Sequence, residues 1–145
     1  SKSIRDLDIR VVTTVGPNGD PAALGPQPSN VHVARYIPQD HLLTHCAAVI
    51  SHGGSGTFLA ALAAGIPQLC VPQAADQFLN AEACAQCGSG LALQPGAVST
   101  ERVRSAVERL LADVAFRDAA EVVSLEIAGM PPPATVAEQL RIAYG

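Results

Sequence analysis

A glycine-rich hexapeptide at residues 52–57, His-Gly-Gly-Ser-Gly-Thr, lies between two apolar segments of different character. The segment before it, Ala47–Ile50, is too short for a helix and is bounded by turn residues, which is typical of a buried strand. The segment after it, Phe58–Ala64, consists of good helix formers and ends at Gly65. A strand, a glycine turn and a helix in that order leave backbone N–H groups free at the helix N-terminus, where an anion can bind. The first hypothesis is therefore that this turn binds the phosphates of a nucleotide-linked substrate.

Strand and helix signals alternate along most of the chain. Apolar and β-branched runs predict strands at residues 8–16, 31–37, 47–51, 67–72 and 91–93. Helical patterns predict helices at residues 39–45, 58–64 and 76–87, then three more after Ser99, a residue suited to an N-cap. Alternation of this kind predicts an α/β fold, a Rossmann-like parallel sheet with helices on both faces, followed by a helical C-terminal tail.

Charge and hydropathy restrict the partners of the chain. At 145 residues it is long enough for one domain with a core, and its net charge of −4 comes without any basic run. Nucleic acid and anionic membranes both require clustered Lys and Arg, so neither is expected as a partner. No apolar stretch reaches about 18 residues, and the first residues lack the apolar centre of a signal peptide. We therefore expect a cytoplasmic protein.

The residue types of the glycine turn suit a diphosphate. Gly53, Gly54 and Gly56 permit close approach and positive φ, while the hydroxyls of Ser55 and Thr57 add donors. A ring N–H from the adjacent histidine completes the set. The pattern is neither G-x-G-x-x-G nor a P-loop, and no lysine follows it. A tight turn that merely connects a strand to a helix is the alternative interpretation.

Four ordered blocks of the sequence carry a family resemblance. They are Tyr36-Ile37-Pro38-Gln39, the glycine turn, Gly65-Ile66-Pro67-Gln68, and the ten residues from Pro72 to Ala81. Together they resemble the donor-binding box of family-1 glycosyltransferases of the GT-B fold, most of all the bacterial enzymes that glycosylate antibiotics such as macrolides and enediynes. The resemblance implies that residues 1–145 are the C-terminal, nucleotide-sugar donor-binding domain of an inverting enzyme that needs no metal or other cofactor.

The same resemblance assigns roles to individual positions. The donor's diphosphate would be bound by His52, Gly54, Ser55, Gly56 and Thr57. Asp76 and Gln77 would bind the hydroxyls of the sugar, while Tyr36 and Ile37 would contact the base. Two simpler interpretations remain open, because Tyr36 could only end a strand and Asp76 could only be a helix N-cap.

One departure from the family pattern concerns the nucleotide. Plant members place a Glu eight residues after the histidine, where it binds the ribose hydroxyls, and this chain has Ala60 there. An apolar residue at that position suits a 2′-deoxyribose. A dTDP-sugar is therefore expected as the donor in preference to a UDP-sugar.

A second departure concerns what surrounds the domain. The resemblance implies that the first strand of the donor domain is missing, together with the N-terminal acceptor domain that supplies the general base. In this fold the first strand is central, between the strands at 9–15 and 47–51, so its loss leaves unpaired strand edges. No catalytic residue is thus expected within this chain, and the small-molecule acceptor, a natural product, would bind through the other domain. A homodimer is left open.

Other chemistries find less support in the residues. Asp6-Leu7-Asp8 has the D-x-D form of metal-dependent glycosyltransferases, but it precedes a predicted strand and is interpreted as a loop. Cys84 and Cys87 have the spacing of a redox or zinc pair, but they close a predicted helix, and the other two cysteines lie in unrelated strands. All four are expected to be reduced thiols. A GT-B-like sugar-nucleotide epimerase and a non-catalytic nucleotide-binding module remain as alternative functions.

Overall fold

Short parallel strands alternate with helices in the computed structural model, which describes residues 2–145. The strands within this range are β1 (Val11–Thr14), β2 (Val31–Ala34), β3 (Val49–Ser51), β4 (Gln68–Cys70) and β5 (Gly90–Ala92). The helices are α1 (Gln39–Leu43), α2 (Ser55–Ala63), α3 (Gln77–Gln86), α4 (Thr100–Ala112), α5 (Val114–Ala128) and α6 (Pro133–Tyr144). The predicted parallel α/β fold with a helical tail is thereby confirmed.

Short 3-10 turns occupy three of the connections, at Ile4–Asp6, Pro21–Leu24 and Pro95–Ala97. The turn at Pro21–Leu24 lies in the connection between β1 and β2. It forms because Asp20 accepts a hydrogen bond from the N–H of Ala22 and because proline favours the first helical position. Asp6 of the D-x-D sequence accepts a hydrogen bond from the N–H of Ser3, so its carboxylate caps the first 3-10 turn.

The strands form two parallel sheets. β1 pairs with β2, with Val11 opposite Val31, and the second sheet has the order β3-β4-β5. Within residues 2–145, no hydrogen-bonded ladder joins β1 to β3, so each of these strands has one unpaired edge. Val12 and Ile50 lie on these strands and are 41% and 44% exposed. An open groove of about 570 Å³ also runs along residues 8–12.

The core surrounds β4, whose three residues are fully buried. On one face, Leu69 packs against α4 through Ala106, Val107 and Leu110. On the other face, Cys70 packs against residues of α2 and α3, namely Phe58, Leu62, Ala81 and Cys84. Helices therefore cover both faces of this sheet, as is usual for parallel sheets.

Glycine and serine define several helix ends. α2 ends before Gly65 (φ +69°) and α3 ends before Gly88 (φ +77°), conformations that favour glycine. Ser99 is the N-cap of α4, as predicted, and its side chain accepts a hydrogen bond from the N–H of Arg102. α5 packs across α2, where the hydroxyl of Ser124 donates to the carbonyl of Ala63 at 2.6 Å.

The last helix, α6, has no buried residue, and Leu140 and Ile142 are among its exposed apolar side chains. None of the helices within residues 2–145 combines the length and the apolar character that a membrane span requires. All four cysteines are free thiols.

Candidate functional site

The candidate site lies where β3 and β4 end. The glycine turn follows β3, and the loop that contains Asp76 follows β4. Because neighbouring parallel strands end at the same edge of a sheet, the two segments meet there. The hydroxyl of Ser55 donates a hydrogen bond of 2.7 Å to Oδ2 of Asp76, 21 residues away in sequence. The structure thus brings the predicted diphosphate-binding and sugar-binding residues into direct contact.

Gly53 is the position at which the turn requires glycine for its backbone. Its φ is +80°, it is buried, and a Cβ there would lie 3.3 Å from the carbonyl oxygen of Gln77 and 3.6 Å from Cβ of Cys70. Its N–H donates to the hydroxyl of Ser51 at 3.0 Å. A side chain at this position would therefore crowd the backbone of the first residue of α3.

His52 is oriented by the residue two positions further on. Its Nδ1 accepts a hydrogen bond of 2.8 Å from the N–H of Gly54. A nitrogen that accepts carries no proton, so Nε2 bears the hydrogen of the neutral ring and remains a donor. Because the side chain is exposed, this donor is accessible to an anion at the turn. Gly54, in contrast, uses its N–H for the ring.

The N-terminus of α2 supplies the remaining backbone donors. The first intrahelical hydrogen bond of α2 runs from the N–H of Phe58 to the carbonyl of Gly54. The preceding N–H groups, those of Ser55, Gly56 and Thr57, belong to the first turn and have no partner within the helix. The helix dipole adds partial positive charge at this end. Together these groups make an anion-binding arrangement of backbone N–H groups beside Nε2 of the histidine.

The segment with Tyr36 and Ile37 lies between β2 and α1. The side chain of Tyr36 is 68% exposed, while Ile37 is half-buried. Gln39, at the start of α1, donates from Nε2 to the hydroxyl oxygen of Thr57 at 2.7 Å. This bond joins the predicted base-binding segment to the first turn of α2. It also leaves the hydroxyl proton of Thr57 available to an acceptor.

Asp76 stands at the N-cap position of α3 but does not act as a cap. Its backbone is helical (φ −65°, ψ −14°) and its side chain makes no capping hydrogen bond. Its carboxylate faces Ser55 instead, so the simple N-cap interpretation is wrong. The preceding residue, Ala75, has a φ of +53°, which is unusual for a residue other than glycine. Backbone strain of this kind is concentrated at functional sites.

Gln77 closes the loop that carries Asp76. Its Oε1 accepts hydrogen bonds from the N–H groups of Gln73 (2.9 Å) and Ala74 (3.1 Å). These two bonds orient the side-chain amide so that Oε1 faces the backbone of its own loop. The predicted sugar-binding pair therefore consists of a carboxylate held by Ser55 and an amide held by its own loop.

Asn80 and Gln39 were not predicted as site residues, although both contact the turn. Asn80 donates from Nδ2 to the carbonyl of Gly53 at 2.8 Å and to Oγ of Ser55 at 3.3 Å. A signal for it exists in the sequence, since it lies four residues after Asp76 and helical residues with that spacing share one face. Gln39 begins a helix at the same edge as the turn, but only the tertiary contact between α1 and α2 reveals its partner.

Metal-binding and thiol chemistry have no separate site in the described part of the chain. Among residues 2–145 the structure has no group of three or more His, Cys, Asp or Glu side chains arranged to hold a metal ion. Cys70 and Cys84 form a buried pair beneath the glycine turn. The hydrogen bond to Cys84 and the burial raise the pKa of the Cys70 thiol. Its sulfur therefore stays protonated at neutral pH.

Comparison with known proteins places the chain in a family. The sequence model described as Erythromycin biosynthesis protein CIII-like, C-terminal domain, matches residues 2–142. Elloramycin glycosyltransferase ElmGT of Streptomyces olivaceus is 43% identical over 122 residues, which cover 84% of this chain and 30% of that protein. The chain thus spans about a third of the length of the proteins that it matches.

Two solved structures share the fold and include a nucleotide. Glycosyltransferase VinC, in complex with dTDP, superposes with a TM-score of 0.85 at 35% identity. The match covers 97% of this chain and 35% of the VinC chain. Spinosyn rhamnosyltransferase SpnG, complexed with thymidine diphosphate, superposes with a TM-score of 0.84 at 36% identity. The match covers 91% of this chain and 36% of the SpnG chain. These matches identify the sheet and helices as part of a GT-B glycosyltransferase fold. The chain belongs to the family of erythromycin biosynthesis protein CIII-like C-terminal domains.

Proposed function

We propose that this chain is the donor-binding half of an inverting glycosyltransferase that moves a sugar from dTDP to a hydroxyl of a natural-product acceptor. The observation that carries the proposal is the hydrogen bond between Ser55 and Asp76. It joins the N-terminus of α2, where free backbone N–H groups can bind an anion, to a carboxylate that can accept hydrogen bonds from sugar hydroxyls.

The proposed role of this half is to stabilise the leaving group. In an inverting transfer, the acceptor oxygen forms a bond to the anomeric carbon while the bond from that carbon to the diphosphate oxygen breaks. Negative charge then grows on the diphosphate. The Nε2 donor of His52 and the N–H groups at the start of α2 would stabilise that charge, in place of a metal ion. The proton of the acceptor hydroxyl would pass to a general base outside residues 1–145.

Two observations favour dTDP as the nucleotide. VinC and SpnG are relatives whose structures contain dTDP or thymidine diphosphate. In this chain, Ala60 offers no carboxylate to a ribose 2′-hydroxyl. The preference for a deoxyribose would then come from the apolar surface at this position.

The broken sheet supports a further strand between β1 and β3. Each of these strands has an unpaired edge, and Val12 and Ile50 are exposed on them. A strand paired to both would join the two sheets and cover these side chains. We propose that the complete enzyme supplies this strand and the acceptor-binding domain.

Calorimetric titration of the chain with dTDP, UDP and NAD, each in a separate experiment, tests the proposal. The expected result is binding of dTDP in preference to UDP, with no binding of NAD. Transfer of sugar by this chain alone is not expected. Absence of dTDP binding would overturn the proposed function, and preferential binding of NAD would indicate a dinucleotide site instead.

A further inference from the structure

Asn80 makes two hydrogen bonds to the glycine turn from a neighbouring helix. It lies in the first turns of α3, half-buried, 27 residues after Gly53. Its Nδ2 lies 2.8 Å from the carbonyl oxygen of Gly53 and 3.3 Å from Oγ of Ser55. Because a carbonyl oxygen only accepts, the amide nitrogen must face the turn, and its two hydrogens serve these two acceptors.

The first of these bonds acts on the histidine through one peptide unit. The carbonyl of Gly53 and the N–H of Gly54 belong to the same planar trans peptide and point in opposite directions. A donor that holds this carbonyl therefore also fixes the direction of the N–H. That N–H is the donor to Nδ1 of His52. Asn80 is thus connected to the imidazole through this peptide unit without touching it.

The second bond acts on the carboxylate through one hydroxyl. Oγ of Ser55 accepts from Asn80 and donates to Oδ2 of Asp76. A hydroxyl has one proton, so the bond from Asn80 directs that proton towards the carboxylate. Oδ2 then accepts one hydrogen bond, and the carboxylate keeps acceptor capacity for further donors. One amide is therefore connected both to the residue proposed to bind the diphosphate and to the residue proposed to bind the sugar.

We propose that Asn80 is a positioning residue that aligns the diphosphate and sugar parts of the donor site. The inference rests on the proposed function, because it assigns the two oriented side chains to one ligand. It goes beyond that function in naming a residue outside the ligand contacts that sets their geometry. A purely structural tether would hold the turn to α3 but would have no effect on the tautomer of the imidazole.

Two measurements on the Asn80→Leu variant test the inference, one of which needs no ligand. The ¹⁵N chemical shifts of the His52 ring report which nitrogen bears the proton. The unsubstituted chain is expected to show the form protonated at Nε2, and the variant is expected to show a mixture of both tautomers. Calorimetry is expected to show roughly tenfold weaker binding of dTDP, the effect of losing one aligned hydrogen bond to a charged group, with thymidine binding unchanged.

Asn30 offers a matched control. Its Nδ2 also donates to backbone carbonyls, those of Arg5, Leu7 and Ile9, at 3.0–3.4 Å, and none of these acceptors belongs to the glycine turn. Asn30→Leu is expected to lower the melting temperature as Asn80→Leu does, while the ring shifts and the dTDP affinity stay unchanged. If Asn80→Leu fails to fold, Asn80→Asp serves instead, because a carboxylate keeps the shape of the side chain but cannot donate to Gly53.

The outcomes separate this inference from the proposed function. An imidazole that keeps its tautomer in a folded Asn80 variant would overturn the positioning role, whatever the chain binds. An equal loss of dTDP and thymidine binding would also overturn it, since it would indicate general damage to the domain. Failure of the unsubstituted chain to bind dTDP would overturn the proposed function, while the ring shifts still decide whether Asn80 orients His52.

Discussion

The imidazole of His52 packs directly against the backbone of Gly54. Its Nδ1 accepts a hydrogen bond of 2.8 Å from the Gly54 N–H, and a Cβ on that glycine would clash with Cε1 of the ring. Gly54 has an ordinary extended backbone (φ −62°, ψ 142°) that any residue can adopt. The two adjacent glycines therefore serve different purposes, since Gly53 permits a positive φ and Gly54 makes room for the ring.

This difference predicts different effects for alanine at the two positions. Gly54→Ala is expected to displace the ring and weaken dTDP binding, while stability changes by less than about 1 kcal/mol because the backbone is unstrained. Gly53→Ala is expected to cost about 1–2 kcal/mol of stability, because its φ is +80°. Thermal melts and calorimetry on both variants check this. Wild-type dTDP affinity in Gly54→Ala would contradict the role given to the ring.

Replacement of His52 itself tests the diphosphate contact. His52→Ala removes the Nε2 donor and is expected to weaken dTDP binding about tenfold to a hundredfold, as for the loss of a hydrogen bond to a charged group. Thymidine lacks the diphosphate, so its affinity is expected to stay the same. His41→Ala is the control, because this exposed histidine lies on α1 beside Asp40. Unchanged dTDP affinity in His52→Ala, measured by calorimetry, would remove the assignment.

The parts of the fold that depend on local pattern could be predicted from the sequence. The strand before His52 follows from a short apolar run and the helix at residues 58–64 from good helix formers, although the helix begins earlier, at Ser55. The N-cap at Ser99 follows from residue type. The first four strands are shorter than predicted because hydrogen-bonded pairing extends over only three or four residues, while β5 has the predicted length and begins one residue earlier. The contact of Ser55 with Asp76 could be expected only in outline, from the shared edge of neighbouring strands.

Bonds that depend on tertiary geometry could not be predicted. The spacing from Asp76 places Asn80 on the same face of α3, but only the approach of α3 to the turn directs its amide towards Gly53. Gln68 gives a similar example, because it is fully buried, its Nε2 donates to the carbonyl of Phe58, and its Oε1 has no partner among the described residues. An amide in a strand gives no sequence signal of such burial.

Gly56→Ala separates a phosphate-binding turn from a simple connection. Gly56 lies within α2, its φ is not positive, and a Cβ there would meet no atom within 4 Å. Alanine is the better helix former, so stability is expected to rise by up to about 1 kcal/mol. The new methyl group would nevertheless stand beside the free N–H groups and obstruct a phosphate. We expect a higher melting temperature together with weaker dTDP binding, and equal or tighter binding would favour the simple connection.

Thiol labelling tests the burial of the cysteine cluster. Cys87 is exposed, Cys46 is half-buried, and Cys70 and Cys84 are buried. Burial raises the pKa of Cys46, and the Cys84 hydrogen bond with burial raises that of Cys70. Since the thiolate is the reactive form, iodoacetamide at neutral pH is expected to label Cys87 first and Cys46 more slowly, with Cys46 gaining rate as the pH rises. Mass spectrometry of digests measures the order.

The matched variant for this experiment is Cys87→Ser. It is expected to lose the rapidly formed adduct of Cys87 and to keep the slowly formed adduct of Cys46. Cys70 and Cys84 are expected to react only after denaturation. Labelling of either buried thiol in the folded chain, at a rate similar to that of Cys87, would contradict the packing around β4.

Ala60→Glu tests the basis of nucleotide preference. Ala60 is half-buried on α2, five residues after Ser55, and a carboxylate there could accept hydrogen bonds from ribose hydroxyls. The variant is expected to bind UDP more tightly relative to dTDP, by roughly tenfold if one hydrogen bond to a charged group forms. Ala64→Glu adds the same charge one helical turn further from the site, so it is expected to leave the ratio unchanged. Competition calorimetry with the two nucleotides measures the ratio. If the two variants show the same ratio of UDP affinity to dTDP affinity, the preference for deoxyribose does not come from Ala60.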